Sequence, residues 1–121
     1  MSNTAGNIGL ELNLRIKQGA DFTLEVECTQ NDLPFDLSLY FHVARLRKRP
    51  FATPVQSFVC TSPVLGTLRF HMDQASTALL KCGPNLDDPA SSYVWDHEMI
   101  LIASGVKIPG FYGDVSVFRD I

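Results

Sequence analysis

Three histidines, three cysteines, the tetrapeptide Trp95-Asp96-His97-Glu98 and the basic run Arg45 to Arg49 are where chemistry could reside in this chain. Three converging imidazoles could bind zinc. His42, His71 and His97, however, fall on three different predicted strands, and their spacing does nothing to bring them together. His42 shares a strand face with Tyr40 and Ala44, which predicts a half-buried, hydrogen-bonded imidazole rather than a ligand. In an extended strand successive side chains point to opposite faces. Asp96 and Glu98 therefore face one way while Trp95 and His97 face the other, and the adjacent Asp96 and His97 do not form a dyad. No G-x-S-x-G nucleophile elbow, dinucleotide-binding glycine motif or P-loop is present. "GFYGD" follows a hairpin turn and precedes a strand. The chain is expected not to be an enzyme, and no cofactor or metal is expected.

Cys28, Cys60 and Cys82 contain no Cys-x-x-Cys pair, and their odd number argues against a disulfide framework. Cys28 ends an alternating run on its apolar side and reads as a buried free thiol. "RLRKR" places four cations in five residues ahead of Pro50. It suits a solvated strand end and turn, or a contact for an acidic partner or another subunit. Nucleic acid fits poorly, because the formal net charge is −3 and no aromatic residues interleave the run.

These groups must be positioned by strands. "LELNLRIK" alternates, with Leu10, Leu12, Leu14 and Ile16 on one face, and "DFTLEVEC" repeats the pattern through Phe22, Leu24, Val26 and Cys28. Gln18, Gly19 and Ala20 separate the two. After the turn cluster "TQNDLPFDL" comes "SLYFHVARLRK", apolar on both faces. Tyr40, His42, Ala44 and Leu46 form one side; Leu39, Phe41, Val43, Arg45 and Arg47 form the other. "VQSFVC" and "TLRFHM" follow, each bounded by turn residues. Asp73 is placed to cap a short helix, whose predicted apolar positions are Ala75, Ala78 and Leu79, with Leu80 beside them. Residues 81–92, "KCGPNLDDPASS", form the longest non-periodic stretch. "YVWDHEMILIAS" is the strongest strand, and Gly105 turns it into the final one, where Pro109 and Gly110 predict a bulge or bend and Gly113 another.

A chain of this length builds one core by default. About seven strands with a single short helix predict an all-β sandwich over residues 10–121, preceded by a flexible arm over residues 1–9. No apolar run approaches the roughly 20 residues needed to cross a bilayer, so no membrane partner is expected. The first residues lack the basic and apolar segments of a signal peptide, so the chain is expected to stay in a cytosol or assemble there into something larger.

The order of the punctuation resembles a group of small phage virion proteins. Their pattern is a strand, a "QG" turn, a second strand, a "G-x-P-x-D-L" turn and a third strand ending in Arg or Lys. Here Asp32-Leu33-Pro34-Phe35-Asp36-Leu37 matches the turn, with Asp-Leu where the pattern has Gly. "GTLRFHMDQASTALL" resembles the group's strand-into-helix segment, and "YVWDHEMIL" its following tyrosine-and-aspartate strand. The layout is similar to the N-terminal domain of phage upper-baseplate proteins. The resemblance implies an immunoglobulin-like antiparallel β-sandwich and a structural role in the virion, at a tail, baseplate, neck or fibre attachment, with other virion proteins as partners. One departure is the ending, "VKIPGFYGDVSVFRDI", whose Pro109, Gly110 and Gly113 disturb a regular hairpin.

One apolar pair on the third strand must leave the core. Phe41 and Val43, continued by Arg45 and Arg47, predict an apolar patch with a basic rim and a protein that associates with itself. The competing expectation is a free-standing binding module, for instance for carbohydrate, using Tyr93, Trp95 and Tyr112 as stacking surfaces. Against that, Trp95 suits core packing better.

Overall fold

The computed structural model describes residues 10–80 and 93–118. The expected N-terminal arm, the long loop with Cys82 and the last three residues lie outside the described residues. The described chain is mostly β. Its strands are β1 (Leu10–Glu11), β2 (Leu14–Lys17), β3 (Phe22–Glu27), β4 (Thr29–Gln30), β5 (Leu33–Pro34), β6 (Tyr40–Arg47), β7 (Gln56–Thr61), β8 (Thr67–Met72), β9 (Tyr93–Leu101) and β10 (Lys107–Phe118). A helix α1 (Gln74–Ala78) follows β8, and a 3-10 turn (Leu37–Leu39) leads into β6.

Eight strands form one sheet in the order β1-β10-β9-β6-β7-β8-β3, with β2 also on β10; β4 and β5 make a separate small hairpin. The sheet is curled, and β7 is the corner. Its first half pairs with β6 (Ala44 opposite Phe58) and its second half with β8 (Cys60 opposite Phe70). The two ends of the sheet, β2 and β3, are joined by a link of only four residues, Gln18 to Asp21. An open flat sheet of this order could not bring them so close. The sheet is mixed, because β1 and β2 run parallel to β10 while the remaining pairs are antiparallel. This departs from the purely antiparallel arrangement expected. It arises because the first segment meets the last from across the fold rather than through a hairpin.

Alternation sets the core. Leu68, Phe70 and Met72 of β8 are buried, as are Ala44 and Leu46 of β6 and Tyr93, Trp95, His97 and Met99 of β9. Phe70 is fully buried and meets Phe58, Trp95, His97 and Phe111 edge-on, with ring centroids 5.0–6.3 Å away. These rings come from β7, β8, β9 and β10, so the two arms of the sheet close on an aromatic centre. Trp95 packs in it and donates its Nε1 hydrogen to the carbonyl of Leu12 at 2.7 Å. Cys28 is a buried free thiol and Cys60 is half-buried. Burial pushes the Cys28 thiol up and the Cys60 thiol up to about 11, so both are held protonated and unreactive near neutrality.

Three local expectations change. "LELNLRIK" is not one strand but two, interrupted at Leu12 and Asn13. There the Asn13 side chain takes the Asp114 N–H at 2.9 Å, and the Leu12 carbonyl turns to Trp95. Gly113 sits against this interruption, and a Cβ on it would overlap the Leu12 carbonyl. It is thus a close-approach glycine within the pairing, not a second bulge; the bulge lies between Pro109 and Tyr112, as expected. The helix also buries a different side. Asp73 caps it, accepting the Ser76 N–H at 2.8 Å, but Ala75, Ala78 and Leu79 face solvent. The buried residues are Thr77 and Leu80. The Thr77 hydroxyl donates to the Ala20 carbonyl at 2.8 Å and accepts the Gly19 N–H at 3.1 Å, while Gln18 Nε2 donates to the Leu80 carbonyl at 2.6 Å. The helix is a polar clasp on the Gln18–Asp21 link.

Candidate interaction face

The outward face of β6 is assembled with β9 residue by residue. Phe41 lies opposite Ile100, Val43 opposite Glu98, Arg45 opposite Asp96 and Arg47 opposite Val94. Phe41, Val43, Arg45 and Arg47 do share one outward face. Its lower end is apolar, with Phe41 61% exposed and Val43 partly covered by its neighbours. The patch extends beyond the expected pair. The Ile102 N–H donates to the Leu39 carbonyl at 3.1 Å, setting these two beside Phe41, and Val106 follows on the turn into β10. Leu39, Ile102 and Val106 are each more than half exposed. Sequence alternation located Leu39, Phe41 and Val43 on this face, and the fold adds Ile102 and Val106.

The basic rim is not a free basic rim. Arg45 pairs with Glu98 at 3.7 Å and Arg47 with Asp96, each arginine leaning diagonally to the neighbouring strand. The acids of "WDHE" thus neutralise the cations of "RLRKR" within the sheet. Arg47 also donates from Nε to the Ala52 carbonyl at 2.9 Å, which pins the turn after β6. Lys48 and Arg49 lie on that turn and are exposed.

At the upper end of the face is a cleft of about 670 Å³. Val94 and Asp96 of β9 floor it, Arg47 and the turn residue Phe51 wall one side, and Glu11, Tyr112 and Asp114 wall the other. Phe51 is fully exposed, and its φ of 65° is in the left-handed region that non-glycine residues avoid. Tyr112 is 47% exposed. Trp95 borders the cleft only from beneath, and both it and Tyr93 are buried at 2% exposure. Two of the three proposed stacking aromatics are therefore core.

On the inward face the structure brings two histidines together and leaves the third apart. His42 and His97 stack with ring centroids 5.3 Å apart, and His42 Nδ1 lies 3.1 Å from His97 Nε2. The Phe111 N–H points at His97 Nδ1 at 3.4 Å, and His42 Nε2 is 3.0 Å from the Leu37 carbonyl. One proton arrangement satisfies every atom: His97 accepts from Phe111 and donates to His42, which donates to Leu37, with both rings neutral. Burial, and then the neighbouring His42, push the His97 imidazole down to about 3; burial lowers His42 as well. His71 instead pairs with the Thr23 hydroxyl at 2.8 Å on the outer side of β8. No group of three or more His, Cys, Asp or Glu residues able to hold a metal ion occurs among the described residues.

The sequence matches no protein-family model and no curated protein. Among solved structures, a 2,6-sialyltransferase of Photobacterium sp., crystallised with CMP and lactose, is similar over 92% of this chain at 13% identity, with a TM-score of 0.30. The chain spans 18% of that enzyme's length.

Proposed function

We propose that the protein is a non-enzymatic phage virion component, of a tail, baseplate, neck or fibre attachment, that assembles through the outward face of β6 and β9. The observation that carries this is the exposed apolar end of that face. Leu39, Phe41 and Ile102, flanked by ion-paired Arg45 and Glu98, form an apolar centre beside a polar border, the anatomy of a protein–protein contact. The sequence resemblance to phage baseplate domains supplies the setting, and with it the immunoglobulin-like reading of the fold. Strand order supports that reading. β3-β8-β7 on one arm and β6-β9-β10 on the other follow the B-E-D and C-F-G orders of constant-type immunoglobulin domains. The buried tryptophan lies on the F-equivalent strand rather than on C.

The double variant Phe41→Ser, Val43→Thr tests the docking face. Circular dichroism of the variant is expected to match the wild type, because Phe41 contributes little to the core. Light scattering is expected to show loss of self-association or of docking to a neighbouring virion protein. A folded variant that assembles like the wild type would rule this face out, and an unfolded one would place it in the core.

A further inference from the structure

The cleft at the upper end of the face has features that packing within one chain does not explain. Phe51 is held in water, without a ring partner among the described residues, by a backbone conformation that is itself unfavourable. The turn carrying it is fixed rather than loose, through Arg47 to the Ala52 carbonyl and through the Val55 N–H to the Leu46 carbonyl at 2.8 Å. Tyr112 offers a second exposed aromatic surface across β9. Around these aromatics the polar groups still available are mainly acceptors. Arg47 has committed its Nε and Nη1 donors, whereas the carboxylates of Glu11 and Asp114 have no cation partner among the described residues. Aromatic faces beside uncompensated carboxylates suit a cation carried on an apolar stem, an arginine or lysine side chain.

The turn that walls the same cleft carries such side chains. Lys48 and Arg49 stand exposed on the turn next to Phe51, and no ion pair within the described chain engages them. An acidic, aromatic cleft beside a basic turn is self-complementary under a two-fold axis, since each copy can offer its turn to the other's cleft. We propose that a second copy of this chain occupies the cleft, inserting Lys48 and Arg49 between Phe51 and Tyr112 and against Glu11 and Asp114 in a reciprocal pair. This contact deepens the proposed assembly role but uses the opposite end of the β6 face from Phe41. It therefore stands or fails separately.

Charge exchange tests it. The variant Lys48→Glu, Arg49→Glu and the variant Glu11→Lys, Asp114→Lys are each expected to weaken self-association at least about tenfold by sedimentation velocity. An equimolar mixture of the two is expected to restore it, because one then offers only acidic partners and the other only basic ones. Wild-type association is expected to weaken from about 50 mM to about 500 mM salt. Circular dichroism checks folding, and the milder pair Lys48→Gln, Arg49→Gln carries the same test if a reversal fails to fold. Variants that associate as the wild type does would overturn the proposal. So would a wild type that is monomeric throughout, or an equimolar mixture that stays monomeric. Saccharide binding that broadens Tyr112 resonances while the charge variants still pair would assign the cleft to a sugar instead. Normal charge rescue with assembly insensitive to Phe41→Ser, Val43→Thr would retain the cleft contact and reject the apolar docking face.

Discussion

Phe70 shows how much one side chain carries. It is fully buried and touches aromatic rings from three other strands, so truncation leaves a cavity that no single neighbour can fill. Phe70→Ala is expected to destabilise the fold by about 3–5 kcal/mol, measured by urea unfolding. Its burial was legible from the alternation of "TLRFHM". The histidine pair was not, because pairing depends on the register of two strands 55 positions apart. That pair makes a pH prediction with a definite sign. Unfolded histidine binds a proton below about 6.5, whereas His97 in the fold resists protonation down to about 3, and His42 is shifted the same way. This contribution to stability is therefore full above pH 6.5 and is lost as pH falls from there towards 3. Between about pH 6.5 and pH 5, above the carboxylate range, unfolding free energy is expected to fall with acidification. His97→Gln, which can keep both hydrogen bonds, is expected to flatten that slope. Nitrogen chemical shifts that show His97 gaining a proton near pH 6.5 would contradict the neutral chain of donors.

At the scale of elements, the strands were readable and the joints were not. Period-two alternation identifies β2, β3, β6, β8 and β9 because burial on one face imposes it. The helix defeats the same logic. Its apolar residues are small or exposed, and it is held by hydrogen bonds that Thr77 and the Leu80 carbonyl share with the Gln18–Asp21 link, which no periodicity reports. Thr77→Val keeps the shape of the buried residue but leaves the Gly19 N–H without its acceptor. It is expected to cost about 1–3 kcal/mol in thermal or urea unfolding. Asp73→Ala is expected to lower the melting temperature and Asp73→Asn to lower it less, since Asn still caps. A Thr77→Val protein as stable as the wild type would show that the clasp contributes nothing. The interruption between β1 and β2 was equally hidden, because an Asn in a polar outward position gives no sign that it will bond across to Asp114.

For the molecule as a whole, the sequence announced an all-β chain and an outward apolar pair, but not the curl of the sheet. The curl depends on β7 changing partners midway, and "VQSFVC" carries no proline or glycine to mark the change. It depends equally on the first described segments closing against the last. That closure has a consequence for biosynthesis. Asn13 and Asp114, which bond across it, are 101 positions apart, and β2 has no other sheet partner among the described residues. On a translating ribosome, β2 must wait unpaired until β10 has cleared the exit tunnel. Contacts of such long separation also slow folding. Nascent chains arrested before Val115 emerges are therefore expected to be protease-sensitive from Leu14 to Lys17. Resistance should appear there only in longer arrested chains, making the emergence of β10 the event that closes the sheet.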